Sequence, residues 1–67
     1  MSIFWMFKYY DGYIMTTPFR VAYNSTAVGE NVAFDVAEKH MGDAVRVEVT
    51  RIAVRDGSEI PKDLVVD

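Results

Sequence analysis

His40 is the side chain of this chain best suited to proton transfer near neutral pH. A catalytic histidine needs a nucleophile and an orienting carboxylate within hydrogen-bond reach. Glu38 points to a different side of the predicted helix, and Asp43 lies beyond the glycine that should end it. Ser25 and Ser58 occupy cap and turn contexts that explain both without a nucleophilic role. We therefore expect His40 to be structural, and the sequence predicts no catalytic residues and no enzyme.

Acidic side chains offer a second kind of chemistry, the binding of a hard cation. Their spacing places most of them on the solvated face of the predicted helix, and no calcium-loop pattern is present. The chain has no cysteine, and one histidine cannot build a zinc site of the usual composition. The four glycines lie too far apart to form a phosphate loop. We expect no metal, no cofactor and no small-molecule substrate. The acids considered are Glu30, Asp35, Glu38 and Asp43.

Composition predicts a folded domain with a small core. The 67 residues are 51% hydrophobic and 13% aromatic, which is too apolar for a disordered tail. Residues 1–67 are therefore expected to form a single domain of marginal stability. The net charge of −3 opposes a general affinity for nucleic acid. No apolar run is long enough for a membrane helix or a signal-peptide core, so we expect a cytoplasmic protein.

The first half of the chain has the pattern of a β-hairpin. Residues 2–10 are rich in aromatic and branched side chains, which favour a strand. Asp11-Gly12 predicts a tight turn, in which both central residues take positive φ. Alternating apolar residues predict a second strand over 13–23. Pro18 places that strand at a sheet edge, because proline cannot donate to a neighbouring strand.

The second half predicts a helix and a further strand. Asn24, Ser25 and Thr26 are typical helix caps, so a helix is expected over 26–41, weakened by Gly29 within it and ended by a left-handed Gly42. Alternating valines predict a third strand over 44–55, with a phase slip that suggests a bulge near 50–51. The tail, 56–67, is expected to add a short strand or to fray.

These elements predict an α+β fold of ββαβ order. A right-handed crossover places the third strand beside the first. The result is a three-stranded antiparallel sheet of order 2-1-3, with one helix packed on one face. The most apolar strand then lies in the centre and the proline-containing strand at an edge.

The first strand is apolar on both sides, so one set of large side chains needs cover beyond the helix. A two-residue turn pairs Tyr10 with Tyr13 and puts Phe4, Met6 and Tyr10 under the helix. The opposite face then stays open, and a three-residue loop would reverse the two faces. The side chains predicted to bind a partner on that open face are Trp5, Phe7, Tyr9, Ile14 and Arg20.

Three kinds of cover compete for this face: the C-terminal tail, a second copy of the chain, or another protein. Aromatic residues and arginine are enriched at binding hot spots, which favours a non-catalytic protein-interaction module. Small inhibitors and adaptors of this kind are common among phage and mobile-element products. The alternatives are a small single-stranded nucleic-acid (RNA) binder and a homodimeric structural subunit. On this hypothesis, Trp5→Ala weakens partner binding without unfolding the domain.

Overall fold

The structure is a computed structural model that describes residues 1–14 and 19–67. The chain forms β1 (Ser2–Tyr10), β2 (Arg20–Asn24), α1 (Glu30–Lys39) and β3 (Arg46–Val54). Two short 3-10 turns follow, Gly57–Glu59 and Lys62–Leu64. The predicted α+β class is confirmed.

The three strands form one antiparallel sheet of order β2-β1-β3, as predicted. The central strand, β1, pairs with β3 along its whole length, from Ser2 opposite Val54 to Tyr10 opposite Arg46. It pairs with β2 over a shorter stretch, in which Tyr9 lies opposite Arg20. Because the central strand has neighbours on both sides, the most apolar segment of the chain occupies this position.

The connection between β1 and β2 is much longer than the predicted two-residue turn. The N–H of Phe19 donates to the carbonyl of Tyr9, and β2 begins at Arg20, opposite Tyr9. Neither Asp11 nor Gly12 has the positive φ that the tight turn requires. The predicted strand over 13–23 is therefore wrong in its first part, since Tyr13 and Ile14 lie in bends. Residues 15 to 18, including Pro18, lie outside the described residues.

The helix begins four residues later than predicted. Its N-cap is Gly29, in extended backbone, so this glycine precedes the helix instead of weakening it from within. The predicted caps fail because the Asn24 side chain bonds to the N–H groups of Thr26 and Ala27, in a turn that precedes the helix. At the other end the helix stops at Lys39, two residues before the predicted end, and Gly42 beyond it has the predicted left-handed conformation, with φ +59°.

The helix packs on the face of the sheet that was expected to be open. Phe7 and Tyr9 are fully buried, in a core that includes Ala22, Ala33 and Ala37. Two alanines on the inner side of the helix leave room for these large rings. The prediction of which β1 face lies under the helix is therefore wrong.

The residues of β1 and β2 pair in a different register from the predicted one, but the same side chains of the two strands still lie on a common face. In an antiparallel pair the numbers of two opposite residues always add up to the same value. That sum is 23 in the predicted register, as for Tyr10 and Tyr13, and 29 in the structure, as for Tyr9 and Arg20. A change by an even number leaves the same side chains on a common face. We call the side away from the helix the second face. Its side chains include Phe4, Met6, Lys8, Tyr10, Val21, Tyr23, Arg46, Glu48, Thr50 and Ile52.

The predicted bulge in the third strand is wrong. The pairing of β3 with β1 runs without interruption, and Ile52 lies opposite Phe4 on the second face. The phase slip in the sequence has another cause: β3 presents apolar residues to both sides, first Val47 and Val49 to the helix and then Ile52 to the second face.

The tail crosses the second face and joins the outer side of β2. A Cβ on Gly57 would lie 3.6 Å from the Phe4 ring, and Ile60 is buried. Further on, Val65 forms a parallel bridge with Tyr23. The tail thus covers the Phe4 end of the second face. The C-terminal tail was one of the three kinds of cover considered from the sequence. Its final residues make a bridge instead of a full strand, and they are held in place by backbone hydrogen bonds.

Candidate partner-binding surfaces

The structure separates the five side chains predicted to bind a partner. Phe7 and Tyr9 have no exposed surface, and Trp5 and Arg20 are partly buried. The Trp5 indole N–H donates to the carbonyl of Ala27 at 3.1 Å, which fixes the ring on the helix side of the sheet. Of the five, Ile14 is the one that is largely exposed, with 81% of its surface accessible to solvent. The predicted open aromatic face is thus the protein core, and its polar tips bond to main-chain carbonyls.

Arg20 joins the sheet to the end of the helix. Its guanidinium carbon lies 3.9 Å from the centroid of the Tyr9 ring. Its Nη2 donates to the carbonyls of His40 and Met41, at 2.6 and 2.8 Å. These carbonyls lack helical partners, and a positive charge is favourable at a helix C-terminus. Arg20 is therefore engaged in holding the fold.

Tyr9 has a perturbed acidity that follows from the same contacts. Its hydroxyl donates to the carbonyl of Ala37 at 2.7 Å. Burial raises the pKa of Tyr9 above its ordinary value, and the charge and hydrogen bond of Arg20 oppose that rise. No substrate-sized pocket opens beside Tyr9, or elsewhere among the described residues.

Asn24 is a buried polar hub that the sequence-based reasoning missed. Its Oδ1 accepts hydrogen bonds from the N–H groups of Thr26 (3.1 Å) and Ala27 (2.8 Å). Its Nδ2 donates to the carbonyl of Val66 at 2.7 Å and to the Thr26 hydroxyl at 3.1 Å. One side chain therefore connects β2, the approach to the helix and the tail. The signal available in the sequence was an asparagine followed by Ser-Thr, which is typical of a side-chain-bonded turn.

His40 lies beside the tail. Its Nε2 is 3.0 Å from the main-chain oxygen of Asp67, and the residue is partly buried at the C-cap of the helix. Within the ranges 1–14 and 19–67, no three histidine, aspartate or glutamate side chains gather as a metal site requires.

The most exposed apolar side chains at the sheet's edge belong to the connection between β1 and β2. Tyr13 and Ile14 are each 81% exposed and Phe19 is 61% exposed. Phe19 comes directly before β2, and its N–H bonds to Tyr9. Ile14 is four residues after Tyr10, the end of β1, so it lies within about 14 Å of that residue. The three side chains therefore belong to one end of the sheet. We call Tyr13, Ile14 and Phe19 the tip.

The middle of the second face is less open than the tip. Met6, Val21 and Tyr23 are partly buried there. Lys8 Nζ lies 3.9 Å from Glu48 Oε1, with both side chains partly exposed. An ion pair of this length in contact with water contributes little to stability. This region therefore offers a mixed surface next to the tip.

Comparison of the chain with known protein families, with characterised proteins and with solved structures finds no match in any of the three. Within the described residues, no helix is both long enough and apolar enough to cross a membrane. The functional argument therefore rests on the surfaces themselves.

Proposed function

We propose that the protein is a non-catalytic protein-interaction module, of the inhibitor or adaptor type, and that it binds a partner protein through the tip. The observation that carries this proposal is the exposure of Tyr13, Ile14 and Phe19, at 61–81%, within one connection. Isolated apolar residues on a surface are ordinary. Three large ones at one end of a small domain are typical of a binding anchor.

The size of the tip limits how much binding energy it supplies. Full burial of such a side chain is worth about 1.5–3 kcal/mol, so covering the exposed parts of all three gives roughly 4 kcal/mol. A micromolar complex needs about 8 kcal/mol. The tip must therefore act as the anchor of a larger interface. The neighbouring part of the second face, with Val21 and Tyr23, supplies partly exposed surface for the remainder.

The cytoplasm is the compartment that we propose for this interaction. Small secreted domains commonly depend on disulfides for stability. This chain has no cysteine, and a buried side-chain hub at Asn24 holds its tail instead. A fluorescent fusion followed by cell fractionation tests the assignment, and recovery outside the cytoplasm would overturn it.

The binding experiment is affinity capture with the intact protein from a lysate of its own cells. Ile14→Ser combined with Phe19→Ser should reduce recovery of the partner at least about tenfold, because the lost apolar burial exceeds 1.4 kcal/mol. Val28→Ser is the matched control, since Val28 is 93% exposed but lies in the connection before the helix. Circular dichroism should show the same unfolding temperature for all three proteins within a few degrees.

Four results would overturn the proposal. The double variant would retain every partner that the wild-type protein captures, or the Val28 control would lose as much. Alternatively, the captured material would be RNA, released steeply by salt, which supports the nucleic-acid alternative. Finally, light scattering would show a stable dimer that the tip variants dissolve, which supports the homodimeric subunit.

A further inference from the structure

The two outer strands of the sheet differ in whether another part of the chain bonds to their outer edges. The outer side of β2 receives the tail, where the N–H of Val66 donates to the carbonyl of Tyr23 at 2.7 Å. In the part of the chain that the structure describes, no backbone hydrogen bond joins β3 to any strand other than β1. A nine-residue edge, Arg46–Val54, therefore directs the N–H and C=O groups of alternate residues outward.

Such an edge recognises one kind of structure, an extended backbone that pairs with it. Strand addition uses main-chain hydrogen bonds for affinity and the flanking side chains for specificity. The side chains of β3 therefore indicate which extended segments fit.

The side chains of β3 make this edge basic. Arg46 and Arg51 are exposed, and Arg55 directly follows the strand. The one acid within the strand, Glu48, faces Lys8 across the sheet. Beyond Arg55, the Asp56 carboxylate accepts a hydrogen bond from the N–H of Ser58 at 3.0 Å. This bond lowers the pKa of Asp56, so the carboxylate stays negatively charged beside Arg55. Arg46, Arg51 and Arg55 against Glu48 and Asp56 give this edge a local net charge of +1, on a protein whose net charge is −3.

The two arginines within the strand are arranged on opposite faces. Arg46 lies opposite Tyr10, on the second face, and Arg51 lies opposite Trp5, on the helix face. They are five positions apart. A partner strand that carries two acidic residues five positions apart would also place them on opposite faces, beside the two arginines.

We propose that the edge of β3 binds an extended acidic segment of a partner protein as a fourth strand of the sheet. Arg46 and Arg51 pair with carboxylates of that segment, one on each face. This surface is the free edge of β3, whereas the tip belongs to the connection between β1 and β2.

Charge also distinguishes this occupant from a second copy of the chain. In a two-fold β3–β3 pair, Glu48 is the one acid that β3 brings, so it can pair with only one of the other copy's two arginines, whereas an acidic segment can supply a carboxylate for each. Like charges on paired strands are destabilising, whereas opposite charges stabilise by up to about 1 kcal/mol per pair. The acidic segment is therefore the better complement.

The test uses a capped peptide, Thr-Glu-Val-Thr-Val-Thr-Glu-Thr, and its counterpart with both glutamates replaced by lysine. Each is titrated into the ¹⁵N-labelled protein at low ionic strength. The acidic peptide should shift amide signals of Arg46–Val54 and bind at least about fivefold more tightly than the lysine peptide. N-methylation of one alternating set of peptide nitrogens should abolish binding, while methylation of the other set should not, because only alternate N–H groups face the edge.

A charge exchange on the protein completes the test. Arg46→Glu combined with Arg51→Glu should reverse the preference, so that the lysine peptide binds more tightly. Lys39→Glu combined with Lys62→Glu makes the same change in net charge at exposed positions outside β3, and should leave the preference for the acidic peptide intact.

Several outcomes would overturn the inference. They are an absence of shifts at millimolar peptide, shifts at the tip instead of β3, equal binding of both peptides, and equal effects of the two N-methylated sets. A concentration-dependent dimer whose contact maps to β3 would make a second copy the occupant. If the peptide fails while the tip variants still lose their partner, this inference falls and the proposed function stands. If the peptide binds while the tip variants keep their partner, the reverse holds.

Discussion

Replacing Asn24 with alanine is expected to lower the free energy of unfolding by about 3 kcal/mol. The side chain has no exposed surface, and all of its polar atoms have partners. The change removes the acceptor for two main-chain N–H groups, those of Thr26 and Ala27, and the donor to the Val66 carbonyl. Alanine reaches none of them.

The size of this loss depends on which hydrogen-bond partners of Asn24 can bond to water instead. Thr26 is exposed, so solvent takes over its lost bonds at small cost. Ala27 and Val66 are partly buried, and leaving a buried polar group unpaired costs about 1–3 kcal/mol. A domain of this length has roughly 3–10 kcal/mol in total. The substitution should therefore remove a large share of the stability and lower Tm by about 10–25 °C.

Urea denaturation followed by circular dichroism measures this effect. Asn31→Ala is the matched control, because Asn31 is an exposed asparagine on the helix, and its change should be within about 0.5 kcal/mol. Asn24→Asp separates the two halves of the hub. It keeps the acceptor for Ala27 but loses the donor to the Val66 carbonyl, which loosens the tail. Hydrogen exchange should therefore accelerate at the Val66 amide, whose own bond is to the Tyr23 carbonyl, and stay slow at Ala27. A loss below 1 kcal/mol for Asn24→Ala would refute the reasoning.

Three further predictions concern acidity, the tail and the backbone. Because the folded-state pKa of Tyr9 is raised, the folded protein holds this proton longer than the unfolded chain, so stability should fall as pH rises above about 10. Tyr9→Phe should flatten that fall while costing about 1 kcal/mol at neutral pH for the lost bond to the helix, both measured by urea denaturation across pH. Ile60→Ala should cost about 2 kcal/mol because Ile60 is 8% exposed, whereas Ile14→Ala should cost less than about 0.5 kcal/mol; similar losses would contradict the placement of the tail. Gly42→Ala should destabilise by about 1 kcal/mol because φ is +59° there, and Gly12→Ala, with open space and no positive φ, should be neutral in the same urea denaturation.

Local patterns were sufficient for the elements and for their order in the sheet. The aromatic first strand, the helical stripe ending at Gly42 and the alternating valines each follow from one periodicity. The central position of β1 follows from its apolar character. Errors arose where two local signals were possible, as with Asn24, which the sequence offered as a helix cap and the fold uses as a hub for the tail.

The candidate site was less predictable than the fold. Ile14 was identified as exposed, but it was grouped with Phe7 and Tyr9, which are buried. The Asp11-Gly12 signal suggested a short turn, and a short turn would have hidden the connection that carries the tip. Tertiary contacts of Tyr9 and Arg20 with the end of the helix compete with that turn and fix a different register.

The sequence by itself determined the ββαβ order, the strand arrangement and the sets of side chains that share a face, because these depend on period and pairing parity. It did not determine which set the helix covers, since β1 is apolar on both sides and burial alone does not distinguish them. The tertiary structure decided this through the hydrogen bonds that the polar ends of the aromatic side chains need. The Trp5 indole and the Tyr9 hydroxyl need buried acceptors, and the main-chain carbonyls of Ala27 and Ala37 provide them on the helix side. The tail then covers Phe4 on the other side, a contact between distant parts of the chain that no local pattern encodes.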